Sequence, residues 1–210
     1  MRLTAIPDIQ GSTLSSPLVG QTVRTRGVVT GGTRKGYFIQ VPDRDRDQDD
    51  PRSHAIFVFR RRDHPALGAS VEVEGEVHDF LIDETDRPTT QIAATRTKVI
   101  RKQGPPVSPV PLDATLLDCD SAELALRLNR LEAMLVSLEA GSEFVAPSNS
   151  FGDYVLVPPG LDLVRTPHGG VLIDPDHPHR WLPSLRIIDY SRAARLNVGA
   201  RLSSTIMGPL

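Results

Sequence analysis

One cysteine, Cys119, in 210 residues excludes an internal disulfide framework and any cysteine-rich zinc site. No run approaches the roughly 20 apolar residues that a membrane helix needs. Charge of one sign is also lacking: 24 Lys and Arg stand against 26 Asp and Glu, so a basic surface able to grip nucleic acid has to be local. The opening residues, Met1 to Asp8, carry one positive charge and then Pro7 and Asp8 where a secretory segment would be apolar, and no export signal is legible. The signatures of catalysis are missing as well. There is no Gly-x-Ser-x-Gly elbow, no phosphate-binding loop and no dinucleotide fingerprint. Cys119 stands between Asp118 and Asp120, a setting that disfavours a reactive thiolate.

What the chain does have is 39% hydrophobic residues with balanced charge, which excludes a disordered tract, and 18 prolines with 16 glycines, which leave little room for long helices. The class expected is mostly β. Five strands are expected over Thr22–Thr30, Tyr37–Val41, Ala55–Phe59, Ser70–His78 and Thr90–Ile100. In the fourth, Val71, Val73 and Val77 alternate with Glu72, Glu74 and Glu76, which gives one apolar and one acidic face at period two. Gly27 and Gly75 sit inside the two long strands where a small barrel bends. The pattern fits a five-stranded Greek-key barrel of the OB type, with an SH3-like barrel or a small sandwich as alternatives. From Gln103 to Pro111 four prolines in nine residues read as a stiff linker. The expected organisation is a barrel over 1–102, a linker over 103–120 and a second domain over 121–210.

In the second half, Ser121–Arg130 prefers helix and feeds a strand at Leu131–Leu138. Features of the first half then return in order: Gly36-Tyr37-Phe38-Ile39 matches Gly152-Asp153-Tyr154-Val155, and Leu67-Gly68-Ala69-Ser70-Val71 matches Val198-Gly199-Ala200-Arg201-Leu202. This reads as a second, OB-like barrel that stops before its closing strand.

These residues carry a resemblance. Asp8-Ile9-Gln10-Gly11-Ser12, then Ser16 to Val23 and Gly27-Val28-Val29-Thr30, resemble the N-terminal OB-fold region of secreted bacterial endonucleases with a downstream endonuclease/exonuclease/phosphatase-type catalytic domain. Leu131 to Val136, Phe151-Gly152-Asp153-Tyr154 and Leu196-Asn197-Val198-Gly199 resemble the same family in the same order, although Ala133 stands where that pattern has Gly. The resemblance implies a binding or positioning module of an extracellular nuclease. It implies no catalytic residue and no cofactor in this chain, because a divalent metal would belong to the nuclease domain.

On an OB barrel, strands 2 and 3 and the flanking loops bind, with aromatic faces stacking bases and Arg or Lys neutralising phosphates. From Thr22 to Arg62 ten Arg or Lys stand against five Asp, while Asp63 to Asp86 holds eight acids and no Lys or Arg. Pairing of strands 1 and 4 sets Arg24 and Arg26 against Glu72, Glu74 and Glu76. That leaves Arg34, Lys35, Arg60, Arg61 and Arg62 as the expected phosphate contacts and Tyr37 as the stacking ring, since period two lets only one of Tyr37 and Phe38 face outward. The expected partners are weakly and non-specifically bound DNA or RNA and a nuclease catalytic domain, with no membrane. An alternative is a scaffold that docks on the nuclease domain and never touches nucleic acid, favoured by the acidic lip Leu81 to Asp86. Asp43-x-Asp45-x-Asp47 lacks the glycine and closing glutamate of a calcium loop, and His177-Pro178-His179 beside Asp174 and Asp176 reads as a polar loop and not as a metal site.

Overall fold

The computed structural model describes residues 2–81, 88–119, 121–147, 153–172, 184–186 and 196–210. The chain is mostly β. A short helix, α1 (Ile6–Gln10), precedes strands β1 (Thr22–Gly32), β2 (Gly36–Gln40), β3 (Ala55–Phe59), β4 (Ser70–Phe80) and β5 (Thr89–Arg101). All five expected strands are present, each within two residues of its expected ends. Then follow β6 (Val110–Pro111), α2 (Ala114–Leu117), α3 (Ser121–Arg130), β7 (Leu135–Leu138), β8 (Glu143–Phe144), β9 (Asp153–Val157), β10 (Ser184–Arg186) and β11 (Ile206–Pro209). Among the described residues no helix is long and apolar enough to cross a membrane.

The pairings of the first five strands run β1-β2-β3-β5-β4 and return to β1, a closed barrel in which only β3 and β5 are parallel. The long strands serve two neighbours each. β1 lies along β4 through Thr22 to Val28 and then along β2 from Val28 to Gly32, with a bulge between Val29 and Gly31. The glycines in these strands have a steric reason: a Cβ on Gly75 would stand 2.2 Å from the Ala93 carbonyl oxygen across the β4–β5 ladder.

Alternation decides what fills the barrel. Val71, Val73 and Val77 point inward with Ile39, Ile56, Val58 and Ile92, all essentially unexposed. Helix α1 adds Ile6 and Ile9 to the same cluster, each burial contributing about 2 to 3 kcal/mol. Its C-terminal Gly11 is at φ +75 with Pro17 packed where a side chain would be. On the outer face the register sets Arg24 opposite Glu74 and Arg26 opposite Glu72, and Arg26 approaches the Glu72 carboxylate to 2.7 Å, as the charge pattern implies.

The chain separates into two units. The first comprises Met1–Val110, Leu128–Val136 and Gly208–Leu210, the second Pro111–Arg127 and Ser137–Met207. The proline-rich stretch begins as part of the first unit and is tied to it. Gly104 N–H donates to Gly68 O at 2.7 Å, Asp43 N–H to Pro106 O at 3.2 Å, and Ser108 donates from N and Oγ to the Asp43 carboxylate. Within 103–120 a one-turn helix, α2, also forms because the Asp113 side chain caps it, accepting from Leu116 N–H.

Segment 128–136 carries a turn in which Ala133 adopts φ +62, so the strand expected from Leu131 begins only at Leu135. Ala133 N–H donates to Leu210 O and Leu210 N–H to Met134 O, which fixes the last residues beside this turn. The Glu132 carboxylate accepts from Thr90 N–H at 2.8 Å and from the Gln10 side chain, and Ser53 Oγ donates to its carbonyl at 2.6 Å. Burial pushes the Glu132 carboxyl up to about 7, with the nearby Asp79 charge adding to the rise against the two hydrogen bonds.

The second unit holds a three-stranded antiparallel sheet in the order β10-β9-β8, with Phe144 and Tyr154 meeting edge to face at 5.7 Å. Helix α3 occupies the expected span and its Arg127 reaches Glu123 at 2.7 Å and the carbonyls of Thr115 and Leu116.

Candidate nucleic-acid interface

The outer face of β2 and β3 is built by cross-strand pairing. Gly31 of β1 pairs with Phe38 of β2, Phe38 with Phe57 of β3, and Phe57 with Gln91 of β5, so one row runs across four strands on the outside of the barrel. The Phe38 and Phe57 rings are half-buried, with centroids 4.9 Å apart and planes tilted by 58°. Gly36 makes this possible, because a Cβ there would stand 2.6 Å from Phe57 Cζ and 2.1 Å from the Val58 carbonyl oxygen. Next along β3, half-buried Phe59 carries the Arg61 guanidinium 5.9 Å above its ring, a cation–π contact that holds the cation at the edge of the aromatic row.

The expected stacking ring is corrected by this register. Tyr37 pairs with Val58 and faces inward, its ring wholly buried and its hydroxyl 2.7 Å from Thr97 Oγ1, which leaves no face for a base. Burial raises the Tyr37 phenol above its ordinary value, against the Thr97 hydrogen bond and the Arg60 charge. Period two allowed one of Tyr37 and Phe38 outside, and the tyrosine goes in because its hydroxyl finds a partner on β5. The outward Phe38 and Phe57 are the residues that the sequence reading missed. The signal that could have found them is Gly36, whose missing side chain leaves the space for the Phe57 ring.

The two basic clusters come together. In the β1–β2 turn Thr33 N–H donates to Gly36 O, Lys35 N–H to Thr33 Oγ1, and Arg60 N–H after β3 donates to Lys35 O at 2.9 Å. That single backbone bond ties the turn bearing Arg34 and Lys35 to the turn bearing Arg61 and Arg62, and all four side chains are exposed. Arg60 is spent differently: its Nε donates to Arg62 O at 3.0 Å, its guanidinium lies 3.9 Å from Asp63, and its carbonyl oxygen is bonded to His64 Nε2. Arg60 therefore shapes the turn and presents less charge than its neighbours.

Pro209 also reaches this face. A Cβ on Gly31 would lie 2.5 Å from Pro209 Cγ and 3.8 Å from Phe38 Cδ2, so the proline rests over Gly31 at one end of the aromatic row. The acidic lip beyond Leu81 and the pair His177 and His179 lie outside the described residues. Among the described residues no three His, Cys, Asp or Glu side chains converge as a metal site would require. Comparison with protein-family models, with curated proteins and with solved structures finds no match to this chain.

Proposed function

We propose that the first unit is an OB-type Greek-key barrel that contacts single-stranded nucleic acid with little sequence preference. The second unit, on this reading, is a second OB-like copy, and the whole serves as a binding or positioning module of an extracellular nuclease. The observation that carries the nucleic-acid reading is the outward Phe38–Phe57 pair, bordered by Lys35 and Arg34 on one turn and Arg61 and Arg62 on the other. Stacked bases need an aromatic face and backbone phosphates need nearby cations, and this face offers both within one rigid sheet. The strand order, with β3 and β5 parallel and the rest antiparallel, supports the OB assignment, and the ordered motifs support the nuclease family.

Fluorescence anisotropy with a labelled single-stranded oligonucleotide tests it. Neutralising Arg34, Arg61 and Arg62 together to Gln is expected to weaken binding at least tenfold without lowering the melting temperature, since all three are exposed. Unchanged affinity refutes the footprint. The seat of Pro209 beside Phe38 favours a second reading, that this face receives polypeptide. Retention of an isolated nuclease domain by a protein that binds no oligonucleotide decides for it.

A further inference from the structure

A groove of about 420 Å³ opens in the first unit where β1 passes from β4 to β2. Val28 pairs with both Ser70, the first residue of β4, and Gln40, the last of β2, so the groove lies at a seam where both neighbours of β1 end. Its apolar lining is offered by half-buried Val41, Pro42 and Pro105, with Val28 nearly buried beneath them. Ile100 at the end of β5 lines it as well, and is 43% exposed despite its size.

Three guanidiniums line this apolar floor against one carboxylate. Arg26 is committed to Glu72 at 2.7 Å. Arg44 lies 3.3 Å from Asp45, the one acid in the lining, but both side chains are more than half exposed, and water screens a pair of this kind to little net attraction. Among the described residues Arg101 has no ion pair at all. Two positive charges thus flank an exposed apolar surface with little to neutralise them.

We propose that this seam is a binding site for an aromatic phosphate monoester, the phosphate held by Arg101 and Arg44 and the ring laid on Ile100 and Pro42. A phosphate monoester carries close to two negative charges at neutral pH, which matches two weakly engaged guanidiniums better than a single carboxylate does. Guanidinium forks hold phosphate oxygens in pairs, and the apolar floor rewards a ligand with a flat body over the bare anion. The inference does not rest on the aromatic face of β2 and β3, whose residues do not line the groove.

Titration of the full-length, nitrogen-15-labelled protein with phenyl phosphate tests it. Saturable shifts are expected at the amides of residues 26–28, 41–45 and 100–101. Inorganic phosphate and benzoate are expected to bind at least about tenfold more weakly. Arg101→Gln, at an exposed strand end, is expected to weaken phenyl phosphate at least about tenfold with the melting temperature unchanged. Absence of saturable shifts at these amides, equal binding by benzoate or inorganic phosphate, or an Arg101→Gln protein that binds as well as the parent overturns the proposal. So do shifts confined to Phe38 and Phe57, which would place the ligand on the other face.

Discussion

Glu132 makes the stability of the first unit depend on pH in a direction opposite to most carboxylates. Its folded-state value of about 7 lies above its ordinary 4.5, so between these the folded chain holds a proton that the unfolded chain has lost. The stabilising contribution is complete below pH 4.5 and is lost as the pH rises through 7. A difference of some 2.5 units at about 1.36 kcal/mol each gives an effect of about 3 kcal/mol. Glu132→Gln removes the charge and keeps an oxygen for Thr90 N–H, so the variant is expected to match the parent at pH 4 and below and to exceed it by up to about 3 kcal/mol at pH 8.5. Chemical denaturation of both proteins at several pH values measures the gap, and the titrations of other groups cancel in the difference. Amide exchange at Thr90 reports the same event locally. A gap that does not change with pH refutes the reasoning and shows that Glu132 is charged throughout or reaches water.

Other expectations follow from single contacts. Replacing Phe38 and Phe57 by Leu retains an apolar cover but removes two stacking faces; at about 1 to 3 kcal/mol per base, oligonucleotide affinity is expected to fall at least tenfold, read by anisotropy beside a melting curve. With Arg34, Lys35, Arg61 and Arg62 meeting up to four phosphates, the log–log salt slope is expected near −3, about a 50-fold loss from 50 to 200 mM salt, and a flat salt response excludes backbone contact. Ala133→Gly relieves a left-handed alanine and is expected to raise stability by up to about 1 kcal/mol in denaturant titration. Gly36→Ala brings a methyl against the Val58 carbonyl and the Phe57 ring, and is expected to cost about 1 to 3 kcal/mol and to shift the Phe57 ring resonances.

The barrel strands were readable because each is short, bounded by turn residues and patterned at period two, and the valines of 71 to 77 left no doubt about which face turns inward. The charge pairing of Arg26 with Glu72 followed from the same parity. The choice between Tyr37 and Phe38 did not, because it rests on Thr97, sixty residues away, and no local pattern announces a hydroxyl partner on another strand. The strain at Ala133 was not legible, because nothing local to the residue announces its positive φ, a conformation that suits a residue without a side chain. The embrace of the barrel by segment 128–136 was hidden, since Glu132 reaches Thr90 and Gln10 across more than forty residues and carries no periodic signal. The proline run announced stiffness, but its attachment to Gly68 and Asp43 depends on backbone groups that composition cannot register.

A sheet that meets itself has little rim. Each of the first five strands has a partner on both sides over part of its length, which leaves a foreign peptide shorter rows of unpaired amides to extend than an open sheet would. Recognition on the outer wall is then set largely by what protrudes from it, and can be rewritten by substitution at exposed positions.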